Sequence, residues 1–128
     1  MSVRGTPPDD VPSRQRQRGY RRGHMAEAAA AALLIAKGHR ILARRFKTPA
    51  GEIDLIVLKG RRVGFVEVKR RGSLVACEAS ITPRLRQRVR RAAELWLARH
   101  ERYQTHDIGF DVVFVMPWRW PVHLNDGL

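Results

Sequence analysis

GEIDLIVLKGRRVGFVEVKRR, Gly51 to Arg71, carries the plan of this chain. Two apolar, β-branched runs, Glu52 to Leu58 and Val63 to Lys69, flank Lys59, Gly60, Arg61 and Arg62, the pattern of a hairpin. Strand side chains alternate, so Glu52 and Asp54 share one face while Ile53 and Leu55 take the other. Phe65, Glu67 and Lys69 share a face opposite Val66 and Val68. A tight loop of Gly60 and Arg61, or a longer one from Lys59 to Arg62, predicts one register: Asp54 opposite Glu67, and Glu52 opposite Lys69. Like charges directly opposed across strands are destabilising. A divalent cation between them reverses that sign, and hard oxygen ligands suit Mg²⁺ or Mn²⁺. The alternative is a wet face, with Glu52 and Lys69 as a cross-strand ion pair and Asp54 and Glu67 solvated.

The elements around the hairpin are read from local signals. AEAAAAALLIAK, within a stretch from about His24 to Lys37, is rich in the best helix formers, and Gly38 supplies a stop. Ile41 and Leu42 open a short strand before the basic patch Arg44, Arg45 and Lys47, and Pro49, Ala50 and Gly51 turn the chain. Thr82 and Pro83 read as an N-cap and first helical residue, opening a helix to about Arg99 with Leu85, Val89, Ala92, Ala93, Trp96 and Leu97 on its apolar face. Phe110 to Met116 is a last strand, stopped by Pro117. Residues 1–22 hold Pro7, Pro8, Pro12 and six arginines, and read as a flexible basic tail. The remainder is a small mixed α/β domain.

Composition narrows the partners. The chain has 128 residues, room for one domain, and a formal charge of +13. No apolar run approaches the roughly 18 residues of a membrane span, and the N-terminus lacks the apolar core of a secretory signal. Cys77, the single cysteine, forms no internal disulfide, which fits a cytoplasmic protein. The charge asks for a polyanion, nucleic acid before anionic lipid. Between residues 23 and 77 eleven basic side chains accompany only four acids, Glu27, Glu52, Asp54 and Glu67. These four sit within or beside apolar elements, where a charge is costly unless paired or metal-bound. Glu27 shares its helix face with Ala31 and Leu34, so it points with the apolar stripe, or else serves the helix dipole in the first turn. Lys69 is one of four lysines beside twenty-one arginines; its compact charge suits orienting a water or contacting a phosphate.

Helix glutamate, GEIDLI (Gly51 to Ile56) and FVEVKRR (Phe65 to Arg71) together resemble the YraN family of bacterial proteins, within the restriction-endonuclease-like superfamily and its D…E-x-K motif. The likeness runs from about Gly23 to Val115. It implies a mixed four-stranded sheet flanked by helices, similar to archaeal Holliday-junction resolvases, so that residues 23–128 form one nuclease-like domain ending in a Trp/Pro segment. By the same resemblance Asp54 and Glu67 hold the metal, Glu27 is the helix carboxylate and Lys69 the catalytic lysine. Glu52 matches GEID without a fixed role in the wider motif. Leu85 stands where a lysine or glutamine is common in the family, with Gln87 the nearest amide.

The function these features imply is Mg²⁺- or Mn²⁺-assisted phosphodiester hydrolysis on DNA, branched or damaged DNA among the substrates. No serine, cysteine or histidine is placed beside a base as a competing nucleophile, Ser73, Cys77 and Ser80 falling in a predicted loop, and no zinc-ligand spacing appears. Arg84, Arg88 and Arg91 form a phosphate-contacting helix face, and Arg70 and Arg71 adjoin the site. Trp118 and Trp120 suit a tail docked on the core or a dimer contact better than a single-strand stacking platform. A homodimer is compatible with the pattern; a membrane is not among the expected partners. The competing readings are a non-catalytic nucleic-acid-binding protein that keeps the fold and, more distantly, a basic adaptor.

Overall fold

Gly60 takes φ +60°, which closes the hairpin between β2 (Gly51–Lys59) and β3 (Arg62–Arg70) through Gly60 and Arg61 alone. Lys59 pairs with Arg62 and Leu55 with Val66, the register that the alternation predicts. The computed structural model describes the backbone of residues 13–128 and the side chains of residues 23–128. Around the hairpin lie α1 (Ser13–Ala36), β1 (Arg40–Thr48), α2 (Leu74–Ala79), α3 (Pro83–Arg99), a 3₁₀ turn (Glu101–Tyr103), β4 (Asp107–Val115) and β5 (Val122–Leu124). The strands form one mixed sheet in sequence order, antiparallel except for the parallel pair β3–β4. Parallel neighbours need a long crossover, and α2 and α3 provide it. The architecture is the restriction-endonuclease-like α/β arrangement, a mixed sheet flanked by helices.

Helices cover both faces of the sheet, which explains why the central strands are apolar almost throughout. One face packs Ile56, Val63, Phe65, Val112 and Phe114 against Leu85, Val89, Ala92, Ala93 and Trp96 of α3. The other packs Leu55, Val57, Val66 and Val113 against Ala30, Ala31 and Leu34 of α1. Both helix signals work as expected. Thr82 Oγ1 accepts from the Leu85 amide ahead of Pro83. Gly38, at φ +93°, donates to Ile35 O while His39 N donates to Leu34 O, a Schellman stop.

Four features differ from the sequence reading. β1 runs the whole way from Arg40 to Thr48, through the basic patch, because its pairing with β2 supplies what local propensity does not. Ser73 caps α2 through its hydroxyl, so the Ser73–Ser80 region is helical, not a loop. α1 begins at Ser13 instead of near His24; the first part of the expected basic tail, residues 1–12, lies outside the described residues. A fifth strand, β5, is added to the predicted four. Three residues flanked by turn residues carry too little periodicity to be read alone. Among the described residues, no helix is long and apolar enough to cross a membrane.

Candidate active site

The face of β2 and β3 turned toward α3 is apolar at Ile56, Val63 and Phe65 and becomes acidic at Asp54 and Glu67. Period-two alternation makes this unavoidable: the positions that bury Ile56 and Phe65 also aim Asp54 and Glu67 inward. Glu67 is only 7% exposed. The ladder between the strands reaches Leu55–Val66, and beyond it the Asp54 carboxylate reaches across, Oδ2 accepting from the Val68 amide at 2.8 Å. Lys69 Nζ lies 3.0 Å from Glu67 Oε2. The lysine therefore pairs within its own strand, not across to Glu52 as the register suggested.

Burial, together with the neighbouring Glu67 charge, pushes the Asp54 carboxyl up to about 8 against the pull of the Val68 N–H. Burial also raises Glu67, opposed by Lys69, by a hydrogen bond with Asp54 and by the charge of Arg88. The charges of Glu27 and Glu52 raise Asp54 further. Two carboxyls thus share a site that tolerates one negative charge poorly and two badly.

α3 roofs this pair. A cavity of about 220 Å³ is lined by Glu52, Asp54, Glu67, Leu85, Arg88 and Val89. Gly51 sits under α3: it has φ +152°, and a Cβ there would meet Arg88 Cβ at an ordinary contact of 3.4 Å. Leu85 occupies the wall where the family resemblance leads one to expect an amide or amine, and Gln87 is exposed and outside the lining.

The remaining predicted residues divide clearly. Arg88 joins the carboxylates, while Arg84 and Arg91 stay exposed along the same helix, outside the cavity. Arg70 and Arg71 are exposed at the end of β3, where Arg71 Nη1 donates to Arg70 O at 2.8 Å. Glu27 lies near enough for its charge to act on Asp54, yet its Oε1 accepts from Arg45 Nε at 2.6 Å. Arg45, with φ +50°, escaped the sequence reading. Its only signal was membership of a basic patch, which does not say which acid it meets.

Two hard oxygen donors held against mutual repulsion fit Mg²⁺, which usually binds through one or two carboxylates and keeps waters or substrate oxygens in its other positions. Among the described residues no group of three histidine, cysteine, aspartate or glutamate side chains forms a closed metal cage.

Residues 26–115 match the Uncharacterised protein family UPF0102. The chain belongs to this family. UPF0102 protein mlr4633 of Mesorhizobium japonicum is 50% identical over 115 residues, spanning 90% of this chain and 92% of the relative. UPF0102 protein NGR_c36770 of Sinorhizobium fredii is 42% identical, over 90% of this chain and 94% of its own length. A UPF0102 protein of Rhodopseudomonas palustris is 45% identical, over 91% and 89%. The UPF0102 match contains Glu27, Glu52, Asp54, Glu67, Lys69 and Arg88 and stops at the end of β4. The loop bearing Trp118 and Trp120 follows it.

A stability measurement tests the strain at the pair. With its folded-state pKa raised, Asp54 makes the folded protein hold a proton that the unfolded chain releases near pH 4. Stability therefore falls as pH rises from about 4 to about 8. Asp54→Asn in EDTA is expected to raise Tm, more at pH 8 than at pH 5, at about 2–8 °C for each kcal/mol. Mg²⁺ or Mn²⁺ should raise the wild-type Tm and leave that of Asp54→Asn nearly unmoved. Thermal scans across pH with and without metal check both, and equal metal effects on the two proteins count against a cation at this pair.

Proposed function

We propose that this protein is a Mg²⁺- or Mn²⁺-dependent DNA endonuclease that hydrolyses phosphodiester bonds, working in the cytoplasm on branched or damaged DNA. The observation that carries the reading is the inward-facing Asp54–Glu67 pair, with Lys69 bonded to Glu67 and Arg88 across an open cavity. The lone buried cysteine is in keeping with a reducing compartment.

Asp54 and Glu67 are the residues to hold the metal, with Glu27 assisting from α1. When bound, the metal supplies Lewis-acid polarisation of the phosphoryl oxygen and a more acidic water. Asp54 keeps one oxygen fixed on the Val68 amide while its side chain lines the cavity. Lys69 holds Glu67 in place and offers N–H donors to a phosphate oxygen or to the attacking water. Arg88 presents a second cation from the roof, suited to the phosphate flanking the scissile bond.

The test is cleavage of labelled duplex, single-strand, flap and four-way-junction DNAs with Mg²⁺, Mn²⁺ or EDTA, beside Lys69→Ala purified identically. Metal-dependent cutting that the variant lacks supports the reading. Tight binding with no cutting of any substrate sinks it in favour of the non-catalytic alternative. That second reading draws on the same pair, because among the described residues it does not belong to a group of three His, Cys, Asp or Glu side chains able to hold a metal, which also suits a fold retained for binding.

Both readings require phosphate contacts. If Arg70, Arg71, Arg84, Arg88 and Arg91 each meet a phosphate, log K against log[salt] on duplex DNA should have a slope of about −4 to −5. Replacing exposed Arg84 or Arg91 by alanine should reduce that slope by about one unit each. Fluorescence anisotropy over a salt series measures it; slopes unchanged in both variants remove α3 from the interface.

A further inference from the structure

Of the two expectations for the tryptophans after β4, docking on the core or a dimer contact, their exposure removes the first. Trp118 is fully exposed and Trp120 is 88% exposed, while the third tryptophan, Trp96, is 3% exposed on the buried face of α3. Large aromatic rings left in water mark a binding surface more often than chance. Trp118 also holds φ +62°, an unfavourable backbone region for a bulky residue, and such strain concentrates where a side chain must be presented. Arg119 lies between them in the chain, and the three residues line a shallow surface depression of about 350 Å³.

The sheet determines where this depression sits. Val115, at the start of the loop, pairs with Arg70 and accepts from the Arg71 amide at 3.3 Å. Val122, at its end, pairs with Phe114, whose other neighbour is Lys69. Both stems of the loop are thus tied at the level of Lys69 and Arg70, at the end of the sheet that carries the candidate site, with Trp120 on the side covered by α1.

We propose that Trp118 and Trp120 are a stacking platform for unpaired bases, seating the single-stranded segment of a DNA substrate beside the Lys69–Arg71 end of the candidate site. Flat aromatic faces accept any base, and a neighbouring cation follows the backbone, the combination by which proteins hold single strands. Arg119, Arg70 and Arg71 supply that cation, and the chain's net charge of +13 favours a polyanion over a second equally charged copy. The inference rests on the nucleic-acid reading above and names its substrate class: DNA with an unpaired stretch. The competing occupant is a second copy seated in the apolar groove between Trp120 and Ala29, Ala32, Leu33 and Ala36 of α1.

The test compares wild type, Trp118→Ala/Trp120→Ala and Trp118→Phe/Trp120→Phe on a short labelled oligothymidylate and on a blunt duplex of the same length. The alanine pair should weaken oligothymidylate binding by roughly 5- to 150-fold for each stacked base and leave duplex affinity near wild type. The phenylalanine pair should retain most of it. Oligothymidylate should also quench the tryptophan emission of wild type, since two of its three rings are exposed. Equal loss on both DNAs, or loss on neither while wild type binds both, overturns the platform and leaves the nuclease reading standing. Unchanged single-strand affinity with a dimer-to-monomer shift in sedimentation assigns the surface to a second copy instead. If wild type binds neither DNA, the platform and the nucleic-acid reading fall together.

Discussion

Lys69→Ala is expected to lower metal-dependent DNA cleavage by about 10²–10³-fold, the size of effect seen when one preorganised charge-stabilising donor is removed. The reason lies in what the ammonium touches. Its Nζ is 3.0 Å from Glu67 Oε2, and the side chain is 21% exposed, so the charge acts in a partly water-excluded place. Removing it withdraws a donor from the reacting phosphate and leaves the buried Glu67 carboxylate with less reason to ionise. Lys69→Arg should not restore the rate, because a planar fork cannot occupy the position of a compact ammonium. On the proposed reading duplex affinity should change little, since the exposed arginines would carry the phosphate contacts. Single-turnover cleavage alongside anisotropy separates the steps; a cleavage loss matched by an equal affinity loss assigns Lys69 to binding alone.

Asp111→Ala is expected to cost about 3–5 kcal/mol of folding stability, the usual penalty for breaking a buried ion pair from one side. Asp111 is fully buried on β4. Arg62 grips it bidentately, Nη1 to Oδ2 and Nη2 to Oδ1, each at 2.8 Å, and the Asp126 amide donates to Oδ1 at 2.7 Å. The guanidinium reaches it by lying over two paired glycines. A Cβ on Gly64 would stand 2.8 Å from Asp111 Oδ2, and one on Gly109 would collide with Arg62 Nη2 and Cζ. Burial alone would raise the Asp111 carboxyl, but the bonds from Arg62 and the Asp126 amide, with the His123 ring close by, outweigh it and hold it well below the usual carboxylate range. The depressed value stabilises the fold above about pH 4, and that stability is lost as pH falls further toward the folded-state pKa. Domains of this size have a total stability of only about 5–15 kcal/mol, so the urea midpoint should move far. Arg62→Ala should do nearly the same, and the double variant should cost less than the two single costs added. A loss under about 1 kcal/mol in Asp111→Ala shows that the pair contributes little beyond its own desolvation.

Much of the site was legible because a strand repeats every two residues. Alternation placed Asp54 with Ile56 and Glu67 with Phe65, and a two-residue turn at Gly60 and Arg61 gave the register that set them opposite. That this face is buried and not wet was settled by α3 packing over it. The ends of α1 and α3 were equally plain, since Gly38, Thr82 and Pro83 act on the backbone within a few residues of themselves. β1 and α2 were harder to read. Arg44, Arg45 and Lys47 have no strand preference of their own, and pairing with β2 overrides local propensity.

The sequence by itself determined the order of elements around the hairpin, the alternation that sets Asp54 and Glu67 on the faces of their strands that meet, and a net charge of +13. Each follows from covalent neighbours and a short repeat. Only the tertiary structure decided that Lys69 bonds Glu67 instead of Glu52, that Arg45 takes Glu27, that Arg62 reaches Asp111 and that Arg88 alone of its helix face enters the cavity. It decided also that Trp118 and Trp120 stand in solvent. These are distances between groups far apart along the chain, set by how α1 and α3 pack on the two faces of the sheet, and no local periodicity encodes them.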